Sequence, residues 1–272
     1  MHAYNRISSR VFDVLLAPFG HRLAGFDLLV WPLVMGVVAL LVYKHASNQK
    51  AIARVKKQIS THLLEIRLFS HDILRVLSAT GSIVARNLVY MGHNLLPMLV
   101  MLVPMLAIMV QLVAHYAYAP AKPGSVELLR LRLDPAVAVS PRDVSLGLPE
   151  GVVLDAPPVR TADGRVFWRL RAEREGDHVL AVDVGGERFE KGWAVGGGPR
   201  KVPRKRVRGL EALLYPGEEA LPASAPLLSL DLDAPTRELG FFPDGELGIL
   251  VWSLGLSLVA GFALRGLFGV TF

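Results

Sequence analysis

The side chains most able to do chemistry in this chain are basic or soft, and their spacing points to binding. Between Lys44 and Arg86 there are eight Lys/Arg against two acids, Glu65 and Asp72. Ile52, Val55, Ile59, Leu63 and Ile66 recur at helical spacing, which puts Lys50, Arg54 and Lys57 on the opposite, polar face of one helix. Further on, Met98, Met101, Met105 and Met109 repeat every three or four residues and share a face. Such a stripe is either a lipid-facing or helix-packing surface, or a deformable one on which unbranched thioethers repack around varied apolar partners. His93, Asn94, Gln111 and His115 supply the polar groups near the ends of the same apolar stretch.

A second basic run has six cations in nine residues: Arg200, Lys201, Arg204, Lys205, Arg206 and Arg208. It reads either as a solvated loop or as a contact with anionic lipid headgroups, each such cation contributing about 1 kcal/mol. No aromatic residue interleaves the run to stack on bases, so nucleic acid is not an expected partner. The sequence carries no glycine-rich phosphate loop, Ser/His/Asp set or metal-spaced His/Asp/Glu cluster. The paired acids Glu173/Glu175 and Glu218/Glu219 read as surface charge. Neither enzymatic chemistry nor a metal or cofactor is expected.

The elements that must position these residues follow from where the apolar residues lie. The chain has 272 residues, 52% of them hydrophobic, no cysteine and a net charge of +6. Its mean hydropathy of +0.39 is high for a water-soluble domain, and the apolar residues come in blocks. Residues 1–22, with Arg6, Arg10 and Arg22 beside an apolar face, are expected to lie in the membrane interface and to be retained, not cleaved as a secretory signal. Spans are expected at 23–43, 93–118 and 247–265, each long enough for a hydrocarbon core of about 30 Å. Residues 44–92 form a basic helical hairpin in this reading, with a turn or kink at Ser78–Ser82. Gly255, Gly261, Ser253 and Ser257 would let the last span pack closely.

Residues 119–124 form a Pro/Gly linker, after which 125–240 alternates short apolar runs with turn signals. About seven strands with hairpin turns at Asp163-Gly164 and Gly185-Gly186 predict a small β-sandwich. The stretch Glu175-Gly176-Asp177-His178-Val179-Leu180 resembles the late strands of immunoglobulin-like modules, with His178 structural. The fold class is therefore an α-helical membrane protein with three transmembrane helices and a cytoplasmic helical hairpin, plus an inserted extracytoplasmic all-β domain. Eight Lys/Arg in the first inter-span loop, and Arg265 just beyond the last span, place the hairpin and C-terminus inside. The N-terminus and β-domain then lie outside, which suits a bacterial inner membrane.

An N-out span is followed by a basic segment opening Lys44-His45-Ala46-Ser47-Asn48-Gln49-Lys50 and Val55-Lys56-Lys57-Gln58. The next span begins Leu95-Leu96-Pro97-Met98-Leu99-Val100 and continues through Val103-Pro104-Met105. This order resembles the YidC family of membrane insertases and its archaeal and endoplasmic-reticulum relatives, over about residues 23–118 and the last span. The resemblance implies a groove between the spans that eases insertion of other membrane proteins, and a hairpin that receives the incoming chain. It implies contacts to clients from Lys50, Arg54, Lys57, Leu63, Asn94, Met98, Met101, Met105 and Gln111. Nascent or partner membrane proteins, lipids, and a ribosome or complex subunit at the hairpin are the implied partners. Bacterial members carry a cation within the groove; here Asn94 and Gln111 are the nearest polar residues, and an inserted β-domain is unlike the short connection usual there. The rival reading is a membrane anchor or adaptor whose β-domain binds a partner protein or envelope component.

Overall fold

The computed structural model describes residues 10, 11, 14, 24–137, 139–198, 200–238 and 243–270. The expected interfacial segment 1–22 lies almost wholly outside them. The chain divides into two units, Met1–Leu28 with Met109–Trp252, and Leu29–Ile108 with Ser253–Phe272.

Among the described residues, three helices are long and apolar enough to cross a membrane. Helix α1, Ala24–Ala46, contains Pro32. A proline cannot donate to the carbonyl four residues earlier, here Leu28, and an unpaired carbonyl in hydrocarbon costs several kcal/mol. The indole N–H of Trp252 donates to that carbonyl at 2.6 Å. So the sequence defect of one helix is satisfied by a side chain of another.

Helix α2, Gln49–Leu68, starts at Asn48, whose side chain accepts the Ala51 N–H at 3.0 Å. It buries Ile52 and Val55 only, and Leu63 is 54% exposed. The turn falls at residues 69–72, where Asp72 accepts the Arg75 N–H at 3.2 Å and Arg75 stacks 4.6 Å over Phe69. Helix α3 then runs unbroken from Ile73 to Tyr116, 44 residues. No turn interrupts it at Ser78–Ser82, where a turn or kink is expected from the sequence. Thr80 returns its hydroxyl to the Val76 carbonyl at 2.8 Å, and helical apolar spacing continues on both sides, so weak propensity over five residues does not stop the helix. The second arm of the expected hairpin and the second span are thus one helix, about 66 Å long.

Helix α4 spans Gly245–Phe268. It meets α1 at Gly36, where an added Cβ would lie 2.6 Å from the Ser257 carbonyl oxygen and 2.9 Å from Ala260 Cβ. Close approach is therefore built on Gly36, Ser257 and Ala260. Gly255 and Gly261, expected in that role, face open space.

Among the described residues the β-domain has eight strands: β1 Val126–Leu133, β2 Val144–Gly147, β3 Val152–Arg160, β4 Arg165–Ala172, β5 Gly176–Val184, β6 Glu187–Val195, β7 Lys205–Val207 and β8 Leu227–Leu232. They form an antiparallel sheet ordered β3-β4-β1-β8-β7 and a second ordered β2-β5-β6. Inward residues of both sheets, among them Leu129, Trp168, Leu180, Val182, Phe189 and Leu230, form one buried core. The β5–β6 hairpin turns on Gly185 and Gly186, both at positive φ (58° and 88°), as a two-residue primed turn requires. Residues 119–124 are less free than a linker: the Ala121 N–H donates to the Ala194 carbonyl at 3.0 Å, and Ala121 accepts from Gly196 at 2.7 Å.

Candidate functional site

The second unit holds a groove of about 610 Å³ with an almost wholly apolar lining. Helix α1 contributes Gly36, Ala39, Leu40 and Tyr43; α4 contributes Ser257, Leu258, Gly261 and Phe262. The remaining wall is α3, through Tyr90, Met91, Asn94, Leu95, Met98, Met101 and Met105. Positions 94, 98, 101 and 105 recur at helical spacing, so one face of one helix supplies them.

Few polar groups enter this space, and their geometry is tight. The Tyr43 hydroxyl donates to Asn94 Oδ1, and Asn94 Nδ2 donates to the Tyr90 carbonyl at 2.7 Å. Ser257 Oγ donates to the Leu254 carbonyl at 2.9 Å. Leu40, Tyr43, Ile52 and Val270 form a buried cluster, with Tyr90, Met101, Leu264 and Phe268 packed against it. None of the lining residues carries a formal charge. The result is a cleft that accepts apolar chain along its length and offers hydroxyl and amide partners at one end and on the α4 wall. Four methionines, Met91, Met98, Met101 and Met105, let its shape adapt.

The expected client-contacting residues divide. Asn94, Met98, Met101 and Met105 are brought together in the groove. Lys50, Arg54 and Lys57 are exposed on α2, opposite its buried Ile52 and Val55, and do not line it. Leu63 stands exposed further along α2. Gln111, 2% exposed in the last turns of α3, is outside the groove, and so is Met109. Sequence reading missed Gly36, Tyr43, Tyr90 and the α4 wall; the small residue Gly36 inside an otherwise bulky α1 was the available signal.

The residues of the basic run, read as a solvated loop or a headgroup contact, have partners within the β-domain unit. Arg200 pairs with Asp177 at 3.1 Å, Arg204 with Glu246 at 2.8 Å, Lys205 with Glu211 at 2.5 Å and Arg208 with Asp134 at 2.6 Å. Arg206 donates to the carbonyls of Glu219 and Glu190 at 2.7 and 2.6 Å. Arg204 also lies over the Tyr118 ring at 4.9 Å, and Lys201 is half-buried in the same loop. Arg200, Arg204, Lys205, Arg206 and Arg208 are thus held by partners within the first unit, an arrangement that fastens the loop.

Glu218 is likewise no ordinary surface charge. It pairs with Lys191, whose side chain is fully buried on β6 and also donates to the Pro203 carbonyl at 2.6 Å. Glu218 accepts the Gly192 N–H at 2.6 Å with its other oxygen. Burial pushes the Lys191 ammonium below its usual pKa, and the Glu218 carboxylate opposes that shift. His178, buried with Nε2 2.9 Å from the Arg174 carbonyl, has the structural setting expected of it.

No protein-family model, curated protein or solved structure matches this chain.

Proposed function

We propose that this protein is a YidC-like membrane insertase or chaperone, a multi-pass protein of the bacterial inner membrane that assists insertion or folding of other membrane proteins through the α1–α3–α4 groove. In this reading the N-terminus and the β-domain, an immunoglobulin-like sandwich, are extracytoplasmic. Helix α2, the first turns of α3 and the C-terminus are cytoplasmic, where the basic face of α2 meets a ribosome or a complex subunit. The observation that carries the reading is the groove: apolar, walled by three span-length helices, and bearing Asn94, Met98, Met101 and Met105 on one face.

The function needs no covalent step. A polar backbone group costs several kcal/mol in hydrocarbon when unpaired. A client segment resting in the groove exchanges hydrogen bonds with Tyr43, Asn94 and Ser257 while its apolar side chains stay against the methionines, which lowers the barrier to crossing. The rival reading, an anchor or adaptor that binds a partner protein or envelope component, is favoured by the β-domain's self-contained core.

A photo-crosslinking amino acid placed singly at Leu63, Met101 and Gln111 during translation of a short membrane protein on native vesicles separates the two. Adducts to the emerging chain at Met101 and Leu63 but not at the buried Gln111, lost once the client is released, are the expected result. Labelling of one stable partner with no nascent-chain adduct would overturn the insertase reading in favour of the adaptor.

A further inference from the structure

The end of the groove marked by Tyr43 and Asn94 carries a second feature, which the insertase reading does not use. Gly36 meets Ser257 and Ala260, and seven residues on, Tyr43 shares a cluster with Leu264, so α1 and α4 advance in the same direction. Helix α3 runs the other way, since Asn94 and Tyr90 stand at Tyr43 while Met98 to Met105 continue into the groove. Lys44 follows Tyr43 directly. Arg86 lies one turn before Tyr90 on the same face of α3, and Arg265 lies one turn beyond Gly261 with its guanidinium 5.9 Å from the Phe262 ring. Three helices therefore each deliver one exposed cation to one end of one apolar groove.

Nothing acidic answers them. The sequence has no Asp or Glu from Leu28 to Leu64, from Ile73 to Val126, or from Leu247 to the end. Among the described residues, no carboxylate pairs with Lys44, Arg86 or Arg265, in contrast to the Arg200–Arg208 run.

The dimensions fit one kind of ligand. From Tyr90 to Met105 the α3 wall is about 22 Å long, which exceeds the roughly 15 Å from interface to midplane of a bilayer. A volume of about 610 Å³ is that of a small-ligand site. We propose that the groove binds a single anionic phospholipid, one acyl chain laid along Met98, Met101 and Met105 and the phosphate-bearing headgroup held between Lys44, Arg86 and Arg265. This inference rests on the placement of the three helices in a bilayer and not on insertase activity.

The test uses the full chain purified in mild detergent, with palmitoyl-oleoyl phosphatidylglycerol and the phosphatidylcholine of identical chains as probes, and bound lipid read by native mass spectrometry. The expected result is preferential retention of phosphatidylglycerol. Combined Lys44→Gln, Arg86→Gln and Arg265→Gln substitution lowers that retention by roughly fivefold per charge, about a hundredfold in all. Arg174→Gln in the β-domain leaves it unchanged. Gly261→Leu, where the added side chain enters open space, removes both lipids while circular dichroism and the unfolding midpoint show an intact fold. Glycerol phosphate, a headgroup without chains, does not compete. Equal binding of the two lipids, retention by the triple variant or by folded Gly261→Leu, or displacement by glycerol phosphate would overturn the proposal. Because no client enters the assay, a failure of the crosslinking test leaves this outcome standing, and the reverse also holds.

Discussion

Cations in the β-domain and cations at the groove look alike in sequence and differ in what the fold supplies to them. Arg200, Arg204, Lys205 and Arg208 each meet a carboxylate within the first unit, and Lys191 is buried against Glu218. Lys44, Arg86 and Arg265 meet none among the described residues, because the helices that carry them are free of acids in those stretches. A density of positive charge is therefore not by itself a binding surface. What distinguishes an internal fastening from an open site is whether the topology brings acids back to it.

The comparison is broken most severely at Lys191–Glu218. Glu218→Ala leaves a buried ammonium without its ion-pair partner and takes the acceptor from the Gly192 N–H. It should destabilise the β-domain by about 3–5 kcal/mol, read as loss of Trp168 and Trp193 fluorescence at lower denaturant. Arg265→Gln at the groove should move the same transition by less than about 0.5 kcal/mol. Equal effects would erase the distinction.

Glycine contrasts sharpen it within the helical unit. Gly36→Leu collides with the Ser257 backbone and Ala260 and should destabilise by about 1–3 kcal/mol, whereas Gly261→Leu, facing the open groove, should leave the thermal midpoint in place. Trp252→Phe should cost about 1–2 kcal/mol by orphaning the Leu28 carbonyl. Pro32→Ala restores an N–H to that carbonyl, so the loss should vanish in the double variant. An additive pair would show that the indole does not serve the proline defect.

The smallest effect is electrostatic. The Asp134 carboxylate is held below its usual range by the Ala136 N–H and, next, by Arg208. Its folded pKa is depressed, so its stabilisation is complete above the usual carboxylate range and lost as pH falls through the folded value. Asp134→Asn should therefore lower stability across the neutral region and converge on the unmodified chain at acid pH, flattening the acid limb, whereas Arg86→Gln should leave that limb unchanged.

The span-length helices were legible because long uncharged blocks admit few other folds, and β1 was legible to the residue because Val126 to Leu133 lies between a Pro/Gly stretch and Asp134-Pro135. Strands β2 and β7 were not: four and three residues are too short for a period, and β7 lies inside the basic run. The continuity of α3 was hidden by Ser78–Ser82, whose hydroxyl-rich composition imitates a turn until the flanking pattern is extended through it. Of the groove, the α3 face could be read from Asn94 and the methionine spacing. The α1 and α4 walls depend on which helices approach, a fact that resides in Gly36 against Ser257 and in no local motif. The role of Glu218 was invisible because its partner Lys191 is 27 residues away on another element.

The groove's part in insertion is tested most directly with the purified chain in liposomes and a short single-span client whose polar tail must cross, scored by protease protection. Met101→Trp together with Gly261→Leu fills the groove from two walls. Insertion should then fall by about tenfold, equivalent to about 1.4 kcal/mol on the barrier, while Arg174→Gln has no effect. A folded, groove-filled variant that inserts the client at the unmodified rate would contradict the account.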